Sequence, residues 1–213
     1  MYQEAEFTRL RQGLYRLLAA LFLYPDRERL ARLQNVALAL QQVDDLWGGN
    51  PFAGPLERLL GVVSTLDQET AVAIENEYVR LFQVRPAAPP YQSFYLDPDG
   101  LVRGWIAVQL ECEYATAGLT LSPALRELPD HVAVELEFLA YLCGQEAKAQ
   151  EIGAWEKSVR ARERQRAFLA GHLGRWLPLF VRKAQEANPA TLYGPTIEST
   201  SAFIRHDLQL LCH

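Results

Sequence analysis

The sequence predicts an all-α, single-domain bundle, and three observations carry this prediction. Apolar residues recur at spacings of three and four along most of the 213 residues, which is the period of a buried helix face. No alternation of apolar and polar residues is long enough to predict a strand, and clusters of Pro, Gly and Asn separate the periodic segments. Because 49% of the residues are hydrophobic, residues 1–213 can enclose one substantial core.

The N-terminal part predicts four helices in succession. The first starts near Phe7 and ends at Tyr24-Pro25-Asp26. The second and third lie on either side of the turn-rich stretch 48–51, and a fourth runs from about Gln68 to Phe82. The apolar residues that define the first three are Leu10, Leu14, Leu17, Leu18, Leu21 and Phe22, then Leu30, Leu33, Ala37 and Leu40, then Leu56, Leu59, Leu60 and Val63.

Residues 84–104 interrupt the helical pattern. A segment of this length without periodicity is uncommon inside a compact domain and is usually functional or disordered. Its aromatic residues favour an ordered, functional loop, because disordered linkers contain few aromatics. The turn-forming residues of the segment are Pro86, Pro89, Pro90, Pro98, Gly100 and Gly104.

The C-terminal half predicts helices over 105–117, 130–150, 154–180 with a break near 171–174, and 195–211. Pro129 suits a helix start, and Asp130 is expected to accept backbone N–H bonds there. The arginines of the third segment are spread over a helix surface, which favours a solvated face rather than one basic patch. They are Arg160, Arg162, Arg164 and Arg166.

Charge and cysteine content exclude several classes of protein. The net charge of -5 argues against nucleic-acid binding. Cys112, Cys143 and Cys212 have no CxxC spacing, so neither a disulfide framework nor a zinc knuckle is predicted, and a reducing compartment fits best. The apolar run 17–23 is too short to span a bilayer. We therefore expect a cytoplasmic protein without a signal peptide or membrane insertion.

Motifs for catalysis are missing from the sequence. It contains no phosphate-binding loop, dinucleotide fingerprint, nucleophile elbow or HExxH motif, so we expect neither an enzyme nor a bound cofactor or metal. The tightest polar constellation is Asp130-His131 with Glu135 one helical turn later. His131 and Glu135 would share a helix face and could form a metal or acid/base pair, or else a helix cap and a surface ion pair. His131 could also titrate near neutral pH.

Four segments together resemble the TorD/DmsD family of redox-enzyme maturation chaperones, also called NarJ-related. They are 77–82 (EYVRLF), 89–95 (PPYQSFY), 128–139 (LPDHVAVELEFL) and 172–176 (HLGRW). Their order and intervals match, and the resemblance spans about residues 10 to 210. It implies an all-helical fold that binds the twin-arginine signal peptide and the apo form of a molybdopterin enzyme, delaying export until the cofactor is inserted. An alternative is an assembly factor that binds only the mature subunit of a non-exported molybdoenzyme.

The resemblance also implies the residues of the peptide-binding region. They are Tyr78, Leu81, Phe82, Pro90, Tyr91, Ser93, Tyr95, Asp130 and His131. Some relatives have been linked to guanine nucleotides, which makes GTP a further implied partner, although the missing phosphate loop argues against its hydrolysis.

The physical chemistry of a basic and apolar peptide calls for a groove with an apolar floor and an acidic edge. Tyr78, Leu81, Phe82 and Tyr95 are candidates for the floor, and Glu127, Asp130, Asp97 or Asp99 for the edge. Leu81 and Phe82 could equally belong to the core. Asp130 could act as a cap, as a peptide contact, or as both.

Overall fold

The computed structural model describes residues 2–97, 104–122 and 125–212, and in these ranges it is helical without a β-sheet. Asp99, a candidate for the acidic edge, lies outside the described residues, as do Pro98 and Gly100 of the Pro-rich segment. The helices are α1 (Tyr2–Leu21), α2 (Arg27–Gln41), α3 (Ala53–Ser64), α4 (Gln68–Tyr78), α5 (Gln92–Leu96), α6 (Trp105–Thr116), α7 (Val132–Glu151), α8 (Trp155–Gly171), α9 (Leu173–Glu186) and α10 (Tyr193–Cys212). The all-α prediction is confirmed.

Helix α7 forms the centre of the bundle. Most of its residues are buried on all sides, as expected for a helix surrounded by others. It packs against α1 on one side and α8 on another. Gly144 faces α1, where a Cβ would lie 2.5 Å from Nε2 of Gln12 and the flexible Gln12 side chain would have to move aside. Gly153, with φ of 68°, adopts the left-handed conformation that ends α7 and turns the chain into α8.

The predicted breaks agree with the helix ends. Helix α8 ends at Gly171 and α9 begins at Leu173, within the predicted interruption of the segment 154–180. His172 lies between them in a non-helical conformation, with φ of -119° and ψ of -98°. The stretch 48–51 separates α2 and α3, together with a short 3-10 turn at Asp44–Leu46.

The predicted helix over 68–82 is not uniform. It is α-helical to Tyr78 and then continues as a π-helical turn, Val79–Gln83, in which the N–H of Val84 donates to the carbonyl of Val79 at 3.0 Å. The next two carbonyls of the turn are used by the Pro-rich segment: Ala87 N–H donates to Arg80 at 3.2 Å, and Ala88 N–H donates to Leu81 at 2.9 Å. The wider turn thus folds the segment back against the end of its own helix. Such turns are frequent at functional sites.

A buried ionic network joins the first and last helices. The guanidinium of Arg11 donates to both carboxylate oxygens of Asp207, at 2.5 and 2.9 Å, and to Glu146 at 3.2 Å. Tyr15 donates to Asp207 at 2.5 Å, and Gln165 accepts from Arg11 at 2.7 Å. These side chains are at most 2% exposed. A buried ion pair is tolerated only when its remaining hydrogen-bonding groups are also satisfied, as they are here.

Candidate aromatic cleft

The π-helical turn, the Pro-rich segment and the start of α7 enclose a cleft of about 580 Å³. Tyr78 and Phe82 form its floor at the end of the fourth predicted helix, with ring centroids 5.3 Å apart. Tyr91 and Phe94 contribute two further rings, and Phe94 is 37% exposed. We call this site the aromatic cleft. Its lining residues are Tyr78, Phe82, Gln83, Pro86, Pro89, Tyr91, Phe94, Arg126, Glu127 and His131.

Two backbone hydrogen bonds fasten one wall of the cleft to the start of α7. Gln92 N–H donates to the carbonyl of Asp130, and Val132 N–H donates to the carbonyl of Pro90, each at 2.9 Å. They flank an isolated antiparallel bridge between Tyr91 and His131, whose rings lie 5.0 Å apart. Residues 90–92 of the Pro-rich segment are therefore held at the cleft by backbone pairing as well as by the Tyr91 ring.

Asp130 does not cap the helix that it precedes. His131 does so: its Nδ1 accepts from the N–H of Ala133 at 3.1 Å. The Asp130 carboxylate instead crosses to α5, where it accepts from the backbone N–H of Ser93 at 3.0 Å and from the Ser93 hydroxyl. The expected cap on α7 is thus wrong, because the Pro-rich segment offers the carboxylate a different pair of donors. Asp130 and Ser93 are both fully buried beneath the cleft.

His131 is held neutral. Burial lowers its pKa from 6.5 to about 3, so the expectation that it titrates near neutral pH is wrong. Because Nδ1 accepts the capping bond, Nε2 carries the proton, and it lies 3.7 Å from a carboxylate oxygen of Glu127. A neutral His131 therefore presents an N–H group toward the cleft rather than a charge.

The His131–Glu135 pair is not assembled as a metal or acid/base site. The carboxylate of Glu135 accepts from Nε1 of Trp176 at 3.0 and 3.2 Å, in a fully buried position. Burial raises the pKa of Glu135 well above its ordinary value. No cluster of three or more potential metal ligands occurs in the ranges that the structure describes.

Glu127 supplies the acidic group of the aromatic cleft. One of its carboxylate oxygens accepts from the Tyr91 hydroxyl at 2.8 Å, and the side chain is 18% exposed. Burial and this neighbouring carboxylate raise the pKa of Tyr91, so the phenol stays protonated and donates. Asp97 is not among the lining residues, and Arg126 adds a positive charge to the same wall.

The remaining predicted site residues support the cleft from behind. Leu81 is fully buried in the core, and Pro90 is buried with its carbonyl bonded to α7. Tyr95 is partly buried and stacks on Trp176, with centroids 5.6 Å apart. Sequence reasoning missed the other lining residues, which are Gln83, Pro86, Pro89 and Phe94, together with the basic Arg126. The aromatic run 91–95 is the signal for Phe94, but a five-residue helix is too short to reveal which ring faces outward.

Polar contacts join three of the four segments to one another and tie the first to the residues ahead of α10. His172 contacts Gln92 at 3.1 Å and Glu113 at 2.9 Å. Glu77 accepts from two backbone N–H groups ahead of α10, those of Ala190 at 2.5 Å and Thr191 at 3.0 Å. Together with the Ser93–Asp130 and Glu135–Trp176 contacts, they hold the elements that build the cleft.

Comparisons with known proteins agree with this architecture. Residues 49–182 match the family model described as nitrate reductase delta subunit. The chain is 30% identical to the chaperone protein TorD of Vibrio cholerae over 146 residues, which are 68% of this chain and 64% of that protein. It is 36% identical to the selenate reductase assembly chaperone protein of Thauera selenatis over 153 residues, 69% of this chain and 76% of that protein. These relatives are named as chaperones and not as enzymes.

A solved structure extends the likeness over nearly the whole fold. The crystal structure of an Archaeoglobus fulgidus protein assigned to redox enzyme maturation superposes with a TM-score of 0.57 at 21% identity. The match covers 95% of this chain and 94% of that one. No helix in the described part of the chain is long and apolar enough to cross a membrane. The family-model match and the relatives place the chain in the NarJ-related TorD/DmsD family of redox-enzyme maturation chaperones.

Proposed function

We propose that this chain is a cytoplasmic maturation chaperone that binds the twin-arginine signal peptide and the apo form of a molybdopterin oxidoreductase. Binding delays export of the client until its cofactor is inserted. The observation that most supports the proposal is the aromatic cleft, in which Tyr78, Phe82 and Phe94 surround one carboxylate, Glu127. The names of the relatives, a TorD chaperone and a selenate reductase assembly chaperone, point to the same class of client.

The cleft suits a peptide that combines apolar side chains with a guanidinium group. Apolar residues of the leader would bury area mainly against Phe94 and Tyr91, the two rings that remain accessible. Tyr78 and Phe82 are at most 4% exposed and belong to the core beneath them. A leader arginine would pair with Glu127, whose carboxylate keeps one oxygen for a new donor while the other accepts from Tyr91. Glu127 is partly exposed, so the guanidinium can reach it without opening the core.

One feature of the cleft favours the alternative, in which the chain binds only the mature subunit of a non-exported molybdoenzyme. Arg126 lines the cleft beside Glu127 and opposes the entry of a second positive charge. A peptide with a single basic residue, such as an internal segment of the subunit, could pair with Glu127 without bringing a second positive charge toward Arg126.

Isothermal titration with twin-arginine leader peptides tests the proposal. We expect Glu127→Gln to weaken leader binding about tenfold, because a charge-assisted bond is replaced by a neutral one. Its melting temperature should hold, since the amide oxygen still accepts from Tyr91. The matched control is Glu57→Gln on the exposed face of α3, which should bind like the wild type.

The two functions give different results. Binding of the leader with the expected loss at Glu127 supports the signal-peptide chaperone. If no leader binds but the apo catalytic subunit without its leader does, the assembly-factor alternative replaces it. Binding that Glu127→Gln and Glu57→Gln weaken equally would contradict the role of the cleft.

A further inference from the structure

A second groove, of about 360 Å³, runs between α7 and α8. We call it the basic groove. Its apolar lining comes from both helices and includes Ile152, which is 68% exposed at the α7–α8 corner. The lining residues are Tyr141, Leu142, Gln145, Lys148, Ala149, Ile152, Lys157, Arg160, Ala161 and Arg164.

The charges of this groove all have one sign. Four of its lining residues are cationic, and no carboxylate lines it among the residues that the structure describes. Arg160 pairs with Glu156 at 3.0 Å, but both side chains are more than 70% exposed, so this bond contributes little. Lys148, Lys157 and Arg164 form no salt bridge within the described ranges. In a chain with a net charge of -5, such a patch is a local feature and not a result of composition.

The arginines of α8 lie on different faces of the helix: Arg160 and Arg164 line the groove and Arg162 does not. Arg162 turns away from the groove, donates to the carbonyl of Leu210 at 2.6 Å and lies 4.0 Å from Glu146. Lys157, Arg160 and Arg164 stand at i, i+3 and i+7, so they share one face of α8 beside the groove. Arg160 and Arg164 are solvent-exposed, as the solvated-face prediction expects, and together with Lys157 and Lys148 they line the groove.

The floor continues beyond the groove. Tyr141, Gln145 and Lys148 form a stripe along α7 at i, i+4 and i+7, and they also line an adjoining cleft of about 460 Å³ against α1. Phe138 and Leu121 belong to that second cleft. A ligand over the stripe would meet apolar surface on both sides, together with the cations Arg9 and Arg16 and the carboxylate Glu137 of the second cleft.

We propose that the basic groove docks an acidic amphipathic helix of a partner protein. The apolar face of the helix would cover Ile152 and Tyr141, while its carboxylates would pair with Lys148, Lys157 and Arg164. Lys157 and Arg164 are separated by about 10 Å along α8, given a rise of about 1.5 Å per residue. Carboxylates at i and i+7 of a helix lying along α8 have the same separation and face the same side. This proposal does not use the aromatic cleft and goes beyond the function proposed for it.

A designed peptide tests the proposal directly. The probe is a fluorescein-labelled amphipathic helix of about 15 residues, with leucines on one face and glutamates at i and i+7, long enough to span about 22 Å. Fluorescence anisotropy with the full chain should show binding that weakens as salt is added, because exposed charge pairs are screened. The same peptide with glutamine in place of glutamate should bind at least about tenfold more weakly.

Matched variants locate the site. Arg164→Glu should weaken peptide binding at least about tenfold, whereas Arg166→Glu, an exposed residue of the same helix outside the groove, should leave it within about twofold. Equal losses in the two variants, or equal binding of the glutamine peptide, would overturn the proposal. So would sedimentation with phosphatidylglycerol vesicles in the absence of peptide binding, since the occupant would then be a lipid surface.

A Glu127→Gln variant should bind the acidic peptide like the wild type. Its loss of leader binding alone would agree with both proposals. A wild-type chain that binds the acidic peptide but no leader would refute only the function proposed for the cleft, and one that binds the leader but not the acidic peptide would refute only the groove.

Discussion

The contact between Ser93 and Asp130 predicts that Asp130→Ala is a stability variant before it is a binding variant. The substitution removes the acceptor of two buried donors, the backbone N–H and the hydroxyl of Ser93. Hydrogen bonds to a charged group contribute about 1.5–3 kcal/mol each, so the loss of two should be about 3–6 kcal/mol. That is a large part of the 5–15 kcal/mol by which a domain is usually stable. Loss of leader binding in this variant would therefore not identify a peptide contact.

A double-mutant cycle measures the contact itself. Ser93→Ala removes only the hydroxyl, and the coupling with Asp130→Ala should be about 1–2 kcal/mol of unfolding free energy in urea, followed by far-ultraviolet circular dichroism. Asp130→Asn keeps an acceptor for Ser93 and should lose less than the alanine variant. A coupling below about 0.5 kcal/mol, or equal losses for Asn and Ala, would refute this account of Asp130.

Three further predictions concern other buried groups. The pKa of His131 is about 3 in the folded chain, so between pH 6.5 and 3 the unfolded chain binds one more proton than the folded chain. Relative to His131→Asn, which can still cap α7, the wild type should therefore lose about 2 kcal/mol of unfolding free energy in urea between pH 7 and pH 5. A difference between the two proteins that does not change with pH would contradict this. Trp176→Phe should lower the unfolding free energy by about 2–4 kcal/mol, because Glu135 loses its hydrogen-bond donor. The loss should appear as a lower melting temperature, and adding Glu135→Gln to this variant should partly restore it. Arg11→Met should cost about 3–5 kcal/mol by stranding Asp207. The double variant Arg11→Met/Asp207→Leu should recover only part of this in thermal unfolding, because Glu146 still lacks its cation and Tyr15 loses its acceptor. Equal melting of the single and double variants would refute the pairing.

The helices could be predicted from the sequence because their signals are local. Apolar stripes and turn clusters indicated α1, α7 and the interruption at His172. The π-helical turn at Val79–Gln83 could not be predicted, because it depends on carbonyls that accept from residues of the returning Pro-rich segment. Hydrophobic periodicity does not record such contacts.

The candidate site could be predicted where its signals are local and not where they depend on contacts between distant parts of the sequence. The aromatic residues Tyr78, Phe82 and Tyr91 could be chosen from the sequence, and they do line the cleft. The partner of Asp130 could not, because the carboxylate bonds to Ser93 across a sequence distance of 37 residues. Whether these residues contact a peptide stays a prediction.

The sequence indicates that Arg11 has a buried partner, but not which residue that partner is. An arginine at position 11 lies between Leu10 and Leu14, in the apolar stripe of α1, and a charge there indicates a buried partner. Nothing in the spacing identified Asp207, which is 196 residues away.

This distance has a consequence for synthesis of the chain on the ribosome. Arg11 is translated 196 residues before Asp207, so the guanidinium has no aspartate to bind until α10 has left the exit tunnel. Vectorial folding of the preceding helices can bury apolar side chains and bring Arg11 to Glu146 of α7, but the buried cation still lacks its bidentate partner. The nascent chain should remain sensitive to protease around α1 until α10 has emerged and docked, and this docking should complete the core in one late step.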